Sequence, residues 1–407
     1  LMHDDYNRKI AGATLQAVAE ALRDAMPGSA IVLCGRVDAG PAQVALTQVP
    51  ALDLFLWGEP ERCTVAFLAG LDPDRSLRAQ EIEARSAGAV VRGPAGLAVI
   101  AEERPIDGRA AAGLDESPFP AWDLVPLRSY AFSPHQQAAD LIHPVLASRG
   151  CPFPCFYCEV RARPRYVARS VESVLAELSW LRAEHGARAV FLADPTFAVD
   201  RSWALDFCAR LSALGWTDFR WSCMSRTDRV DDELLTAMAA AGCWNILFGV
   251  ESLNPAALRA AQKALDPATV APAIRAARRA GIETIASIMI GLPGDTPESF
   301  ERTLDAIIEI DPDFAQFFVL QLDAEQAPAG GRFVSEWRGA KHDFWGRVYA
   351  ADGFRDEAQL HALRRRAFRR FYLRPRYLRG RVRALLSAPH PAHEVGRVVR
   401  GGLLALK

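Results

Sequence analysis

Three cysteines in one short run carry the most chemistry in this chain. Cys151, Cys155 and Cys158 follow Ser148-Arg149-Gly150 with the spacing C-x3-C-x2-C. Three thiols within eight residues cannot all pair with one another as disulfides. As thiolates they can grip one soft metal centre together. There are 8 cysteines among 407 residues. At that frequency chance produces the pattern about 0.003 times per chain. Two centres suit three thiolates. A [4Fe–4S] cluster would keep one iron without a protein ligand, open to the amine and carboxylate of a small molecule. A zinc ion would need a fourth ligand, such as His143 or His185. Cys34, Cys63, Cys208, Cys223 and Cys243 are scattered and read as buried small hydrophobes.

Composition bounds what surrounds the thiols. Half the residues are hydrophobic and 24% are charged, ordinary for a globular protein with a large core. A length of 407 residues suits two or three domains. Cysteines without a disulfide framework point to a reducing, cytoplasmic compartment. No apolar run is long enough to span a bilayer. The start Leu1-Met2-His3-Asp4-Asp5 is no signal peptide, and because it does not open on methionine the chain reads as a fragment. Net charge is −1, but from His361 to Lys407 there are 13 Lys/Arg against one acid, Glu394. That segment is +12 and residues 1–360 are −13. The basic tail predicts an anionic partner: a membrane surface, a substrate or the protein's own acidic body. Nucleic acid is not expected.

The elements that must position the cysteines alternate in type. Residues 11–26 have helical spacing, with Ala13, Leu15, Val18, Ala19 and Leu22 on one side. Strands are expected at 30–34, closed by Gly35, and at 52–57, with a short helix at 41–47 between them. Residues 89–100 read as a hairpin with a Gly93-Pro94 turn, and 104–147 as a proline-rich connector. One strand ends at Ser148; others are expected at 189–193, 219–223, 244–250, 284–290 and 315–320. Helices fall near 170–185, 201–213, 231–241, 267–280 and 297–309. Six strand–helix units of this length favour a parallel sheet curled into a partial barrel, with ligand sites at the C-terminal strand ends. The cysteine loop leaves the end of the first strand.

Those ends carry polar residues in an apolar setting. Asp194 closes one strand, Arg226 and Asp228 follow another, Glu251 and Ser252 end Leu247-Phe248-Gly249-Val250, and Gly291-Leu292-Pro293-Gly294 follows Ser287-Ile288-Met289-Ile290. With Tyr157 just before the third cysteine, these motifs, in this order over residues 145–322, resemble the radical S-adenosylmethionine (SAM) superfamily. The resemblance implies a [4Fe–4S] cluster on the three cysteines, with SAM chelated to its open iron. Glu251 and Asp194 then suit SAM's amine or ribose, Arg226 its carboxylate, and Tyr157 its adenine. Ser252 and the Gly291–Gly294 turn complete the expected contacts, the glycines letting backbone approach the adenine. Each has a plainer competitor. Arg226 can pair with Asp228 or Asp194, the glycine turn can be only a turn, and Trp221, Trp244 and Phe248 read as core. No catalytic acid or base is assigned.

Residues 11–126 resemble the second half of a cobalamin-binding domain of the kind fused to many radical SAM enzymes. The likeness rests on the strand ending at Gly35, on Asp53 and Gly58-Glu59-Pro60-Glu61, on the hairpin, and on 117–124. The family's D-x-H-x-x-G loop and the strands expected before residue 11 are missing. Beyond residue 356 a helix places Leu363, Ala367, Phe368, Phe371 and Tyr372 on one face and Arg365, Arg366, Arg369 and Arg370 on the other flank. It is expected to dock on its own domain, with a membrane surface as the alternative. Residues 367–375 also resemble the tail of cobalamin-type enzymes acting on tetrapyrroles and isoprenoids. The expected fold is α/β: an incomplete Rossmann-like domain (1–110), a linker (111–144), a partial (β/α)6 barrel (145–325) and a basic, mostly helical extension (326–407). The implied activity is reductive SAM cleavage and hydrogen abstraction from a small-molecule substrate, with cobalamin-dependent C-methylation or a ring-forming step as outcomes. Electrons would come from flavodoxin or ferredoxin. The alternatives are a radical SAM methylthiotransferase, for which Cys34 and Cys63 are too few to hold a second cluster, and a zinc-stabilised binding module.

Overall fold

The structure is a computed structural model. It describes residues 2–3, 8–35, 45–57, 64, 89–93, 96–100, 114–126, 141–158, 160, 166–322, 328–334 and 347–387. The chain divides into two compact units, Leu1–Ala110 with Glu336–Arg347, and Ala111–Ser335 with Val348–Lys407.

The first unit holds one five-stranded sheet, β1 (Met2–His3), β2 (Val32–Gly35), β3 (Leu54–Trp57), β4 (Ala89–Gly93) and β5 (Gly96–Ile100), in that order. β1, β2 and β3 run parallel, and β4 and β5 are antiparallel additions. Helix α1 (Arg8–Ala25) joins β1 to β2 and buries Leu15 and Ala19 against Ile31, Leu33 and Phe55. The hairpin stands where expected, and its Pro94-Ala95 turn lies outside the described residues. So do Gly58-Glu59-Pro60-Glu61 and Cys63, while of the short helix only residues 45–48 are described. The two-residue β1 is a strand before residue 11 where none was expected; its brevity leaves no sequence period to read.

The second unit is built on six parallel strands in chain order: β6 (His143–Val145), β9 (Ala189–Leu192), β10 (Arg220–Ser225), β11 (Cys243–Glu251), β12 (Glu283–Ile290) and β13 (Phe314–Val319). A short antiparallel pair, β7 (Ser148–Arg149) and β8 (Val167–Ala168), flanks the cysteine loop. Helices α2 (Val171–His185), α3 (Arg201–Ala213), α4 (Asp232–Ala240), α5 (Pro255–Ala260), α6 (Val270–Arg279) and α7 (Pro297–Ile310) lie between the sheet strands. Side chains supply the helix starts. Ser170, Asp200, Asp231 and Asn254 accept from orphan backbone N–H groups, and Thr296 and Ser299 form a reciprocal box with Pro297 at the first helical position.

The first sheet strand ends at Val145, not at Ser148 as expected. The Ala147 amide donates to Asp194 Oδ1 at 2.8 Å, and Ser148 and Arg149 pair with β8 instead. A small sheet that was not expected lies on both sides of residue 325. β14 (Gln321–Leu322), β15 (Gly331–Phe333) and β16 (Arg347–Ala351) form a three-stranded sheet in the order β14-β16-β15. Then α8 (Glu357–Tyr372) packs Leu360, Ala367, Phe371 and Tyr372 into the core, as its apolar face predicted. Arg366 and Arg370 pair with Glu301, and Arg374 with Asp311, so the basic segment docks on the unit's own acids. A final helix, α9 (Pro375–Ser387), follows.

Register separates the two faces of the six-stranded sheet. Leu192, Cys223, Ile246, Phe248, Ala286, Ile288, Ala315 and Phe317 are buried, and Phe317 meets Phe368 and Phe371 of α8. Met224, Leu247, Met289 and Gln316 alternate with them on the opposite face and are only half-buried, and Phe318 is 41% exposed.

Candidate functional site

The cysteine loop starts where β7 ends. Gly150 adopts φ 79°, a left-handed turn that suits glycine. Cys151 and Cys155 are buried and Cys158 is half-buried; all three are unpaired. The loop is held from several sides. Phe156 N–H donates to Ala261 O at 3.2 Å, Cys158 N–H to Cys155 O at 3.1 Å, and Cys151 Sγ lies 3.7 Å from Thr196 Oγ1. Burial raises the Cys155 thiol, opposed by the positive charges of Lys263 and Arg226. Burial also pushes Cys158 up to about 11.

Among the described residues no trio of His, Cys, Asp or Glu is placed to hold a single metal ion. Zn–S bonds of about 2.3 Å would demand one tight tetrahedron, whereas a cubane spreads its ligands over separate irons. His143 packs edge-on against Trp122, and its ring centroid is 6.0 Å from that of His185, which meets Trp180. Burial, then His185, lowers the His143 pKa to about 4. Among the described residues the zinc alternative finds no ligand set. The donor set fits a cluster on three thiolates, with two cations beside it to offset negative charge.

Glu251 ends β11 at a bulge between Gly249 and Glu251, and it is a non-glycine residue at φ 66°. Such a conformation costs about 1–3 kcal/mol and persists where the surroundings hold it. Here Ser287 Oγ donates to Glu251 Oε2 at 3.3 Å, and Lys263 Nζ lies 3.4 Å from Oε1. A Cβ on Gly249 would stand 2.9 Å from Glu251 Oε1 and 3.2 Å from Lys263 Nζ, so the glycine leaves room for the pair. Lys263 also donates to Tyr157 Oη at 3.3 Å. Burial, then Glu251, holds the Tyr157 hydroxyl well above the usual range. Lys263 is 5% exposed. It is the residue sequence reading missed, because a lysine among alanines looks like a solvated one. One signal was present: the chain has 4 lysines among 48 Lys/Arg. A compact ammonium and a planar guanidinium are not interchangeable, so a lysine in a chain that otherwise favours arginine marks a position with its own demand.

The other expected residues gather round the same loop in different roles. Asp194 is buried beneath it, accepting from Ala147 N–H at 2.8 Å and Ser148 Oγ at 2.7 Å, with its pKa raised to about 6 by burial. It anchors the loop's entry. Arg226 donates twice to Asp228, at 2.9 and 2.7 Å, and to the carbonyls of Lys263 and Ala264 at 2.8 and 2.9 Å. Its guanidinium lies 3.9 Å from the Phe153 ring centroid. The fork that would clamp a carboxylate is already taken by Asp228, which leaves Arg226 tying β10, the Lys263 loop and the cysteine loop together. Ser252 is buried and reaches Asp295 at 3.4 Å, and Asn254 joins Asp295 to Gly294 O at 3.1 and 3.0 Å.

Gly291 and Gly294 have φ 95° and 78°. A Cβ on Gly291 would meet Tyr349 O at 3.2 Å, and one on Gly294 would meet Ala256 O at 3.2 Å. Backbone conformation and close protein packing each call for glycine at these two positions. Leu292 and Pro293 are buried, Leu292 in a cluster with Phe156, Leu320 and Tyr349 against which Tyr157 and Met289 also pack.

Comparison with known proteins gives the same picture. The radical SAM superfamily model matches residues 145–307. An uncharacterized methyltransferase of Pyrococcus horikoshii is 28% identical over 370 residues, covering 88% of this chain and 74% of that one. An anaerobic magnesium-protoporphyrin IX monomethyl ester cyclase of Cereibacter sphaeroides is 28% identical over 278 residues, 67% of this chain and 43% of its own length. Among solved structures, the radical SAM methyltransferase TsrM of Kitasatospora setae, with cobalamin and a [4Fe–4S] cluster bound, shares the fold at TM-score 0.70 and 16% identity, covering 98% of this chain and 86% of that one. OxsB, a cobalamin-dependent SAM radical enzyme, does so at TM-score 0.65 and 15% identity, covering 98% and 62%. Residues 145–307, carrying the cysteine loop at the end of a parallel sheet, are a radical SAM domain.

Proposed function

We propose that this chain is a cobalamin-dependent radical SAM methyltransferase acting on a small molecule. Cys151, Cys155 and Cys158 would hold the [4Fe–4S] cluster, leaving one iron for SAM. When bound, these groups supply reductive cleavage of SAM, hydrogen abstraction from an unactivated carbon and, through cobalamin, a methyl group. The chain's residues bind and orient. Lys263 offers its ammonium to the SAM carboxylate, Glu251 accepts from the SAM amine or ribose, and Tyr157 lines the adenine side. Asp194 and Arg226 hold the loops that carry them. The six parallel strands with intervening helices are read as a partial (β/α)6 barrel, and the half-buried face bearing Met224, Leu247, Gln316 and Phe318 as its substrate side.

The observation that carries this reading is the buried Glu251–Lys263–Tyr157 chain beside the cysteine loop. The first unit, with three parallel strands and an antiparallel hairpin, is the proposed cobalamin-binding part. An external donor such as flavodoxin or ferredoxin would supply electrons. The seven described cysteines are unpaired, which suits a reducing cytoplasmic setting, with the basic C-terminal helices meeting a membrane surface. The test is anaerobic reconstitution with iron, sulfide and cobalamin, then transfer of labelled methyl from SAM. About four irons per chain, lost in the triple Cys→Ala variant, are expected. Unchanged iron in that variant refutes the cluster. A corrin-free protein that still turns over SAM refutes the cobalamin part alone.

A further inference from the structure

Helix α9 has three faces. Tyr377 and Arg381, four residues apart, dock against Phe371, Tyr372 and Phe314. Next round the helix, Leu378 and Val382 stand 46% and 54% exposed, with Leu373 just before the helix at 61%. Beyond them lie Arg376 and Arg379, both exposed. Apolar side chains at i and i+4 in water, flanked along one edge by arginines, are an interfacial pattern rather than a solvated face.

A cavity of about 400 Å3 opens beside this helix, lined by Arg278, Asp311, Asp313, Arg376, Arg379 and Arg381 among others. Its charges do not balance. Asp311 is shared by Arg278, Arg374 and Arg376. Arg381 pairs loosely with Glu283 and Asp313 at 3.5 Å each, and among the described residues its Nη1 makes no hydrogen bond. Among the described residues Arg379 reaches only the Pro375 carbonyl, at 3.3 Å. Among the described residues, five arginines against three carboxylates leave two positive charges round a cavity of headgroup size.

We propose that α9 and this cavity form a docking surface for an anionic phospholipid bilayer. A lipid phosphate would sit among Arg376, Arg379 and Arg278 while Leu373, Leu378 and Val382 enter the acyl boundary. Phosphate alone would satisfy the cavity but not the apolar stripe; the two together select a membrane. This inference is independent of the SAM chemistry, because α9 contributes nothing to the cysteine loop.

The test is co-sedimentation of the full reconstituted chain with vesicles of phosphatidylcholine alone or with one-third phosphatidylglycerol. Binding is expected only to the anionic vesicles. Arg376→Glu/Arg379→Glu lowers it on the order of tenfold or more, since each arginine near such a surface is worth about a fivefold factor. Leu378→Ser/Val382→Ser weakens binding and removes the part that persists at about 1 M salt, where charge is screened within about 3 Å. Iron content and SAM turnover report that both variants fold. Equal sedimentation with neutral and anionic vesicles overturns the proposal. So does binding of inorganic phosphate at the cavity without vesicle binding, which would make it a free-anion site. Hydrogen exchange over 375–387 that is slow without vesicles and unchanged by them also overturns it, by showing that another part of the chain covers the stripe.

Discussion

Replacing Lys263 with methionine tests the site most directly. The ammonium lies 3.4 Å from Glu251 Oε1, and the two side chains are 6% and 9% exposed. At that separation an effective dielectric of about 20 gives an attraction of about 5 kcal/mol. Removing one partner of a buried pair costs about 3–5 kcal/mol, because the remaining charge is stranded. The stranded carboxylate can escape by taking up a proton. From an ordinary glutamate pKa of about 4.3, that costs about 3.7 kcal/mol at pH 7 and about 1 kcal/mol at pH 5. The penalty in Lys263→Met is therefore capped near 3–4 kcal/mol at pH 7 and shrinks as pH falls. The sign follows from linkage: a carboxylate titrating higher in the folded state than in the unfolded chain loses stability as pH rises. The assay is urea unfolding at pH 7 and pH 5, with Glu251→Gln and the double variant closing the cycle. Glu251→Gln/Lys263→Met should recover at least about 1 kcal/mol relative to the sum of the single changes. Lys263→Arg should not rescue SAM binding, since a planar guanidinium is no substitute for a compact ammonium at a buried position. A loss below about 1 kcal/mol at pH 7, the same loss at both pH values, or strict additivity would refute the reasoning.

Arg226→Gln breaks four hydrogen bonds and the stack on Phe153, and should cost about 3 kcal/mol and lower iron retention. Normal iron after gel filtration would discard its role in holding the loop. Asp194, raised to about 6 by burial, contributes stability below about pH 4 that is lost as pH rises through 6. The difference from Asp194→Asn should thus change by about 3 kcal/mol across that window, and a flat difference would contradict it. Gly294→Ala forces a Cβ at φ 78° to within 3.2 Å of Ala256 O and should cost about 1–3 kcal/mol; an unchanged urea midpoint would show that the turn gives way.

Local rules made much of the second unit readable. Strand and helix positions from 170 to 310 follow from apolar runs separated by caps, and Thr296-Pro297 both stops the turn and starts α7. The cysteine spacing announced the centre because three thiolates so close have few other uses. The Glu251 motif was legible because an acid closing an apolar strand must face something. Sequence could not say what the polar residues bind. Arg226 and Asp194 are chemically suited to a ligand, but whether a fork or a carboxylate is free depends on which backbone groups lie nearby, and those come from residues 37–47 positions away. Lys263 became part of the site only when the sheet set its loop beside Glu251 and Tyr157, 12 and 106 residues distant. The β14–β16 sheet was missed because strands of two to five residues carry too few alternations to show a period. Chemistry of residue types is local and written in the chain; the pairing that spends or spares each polar group is made by contacts across it.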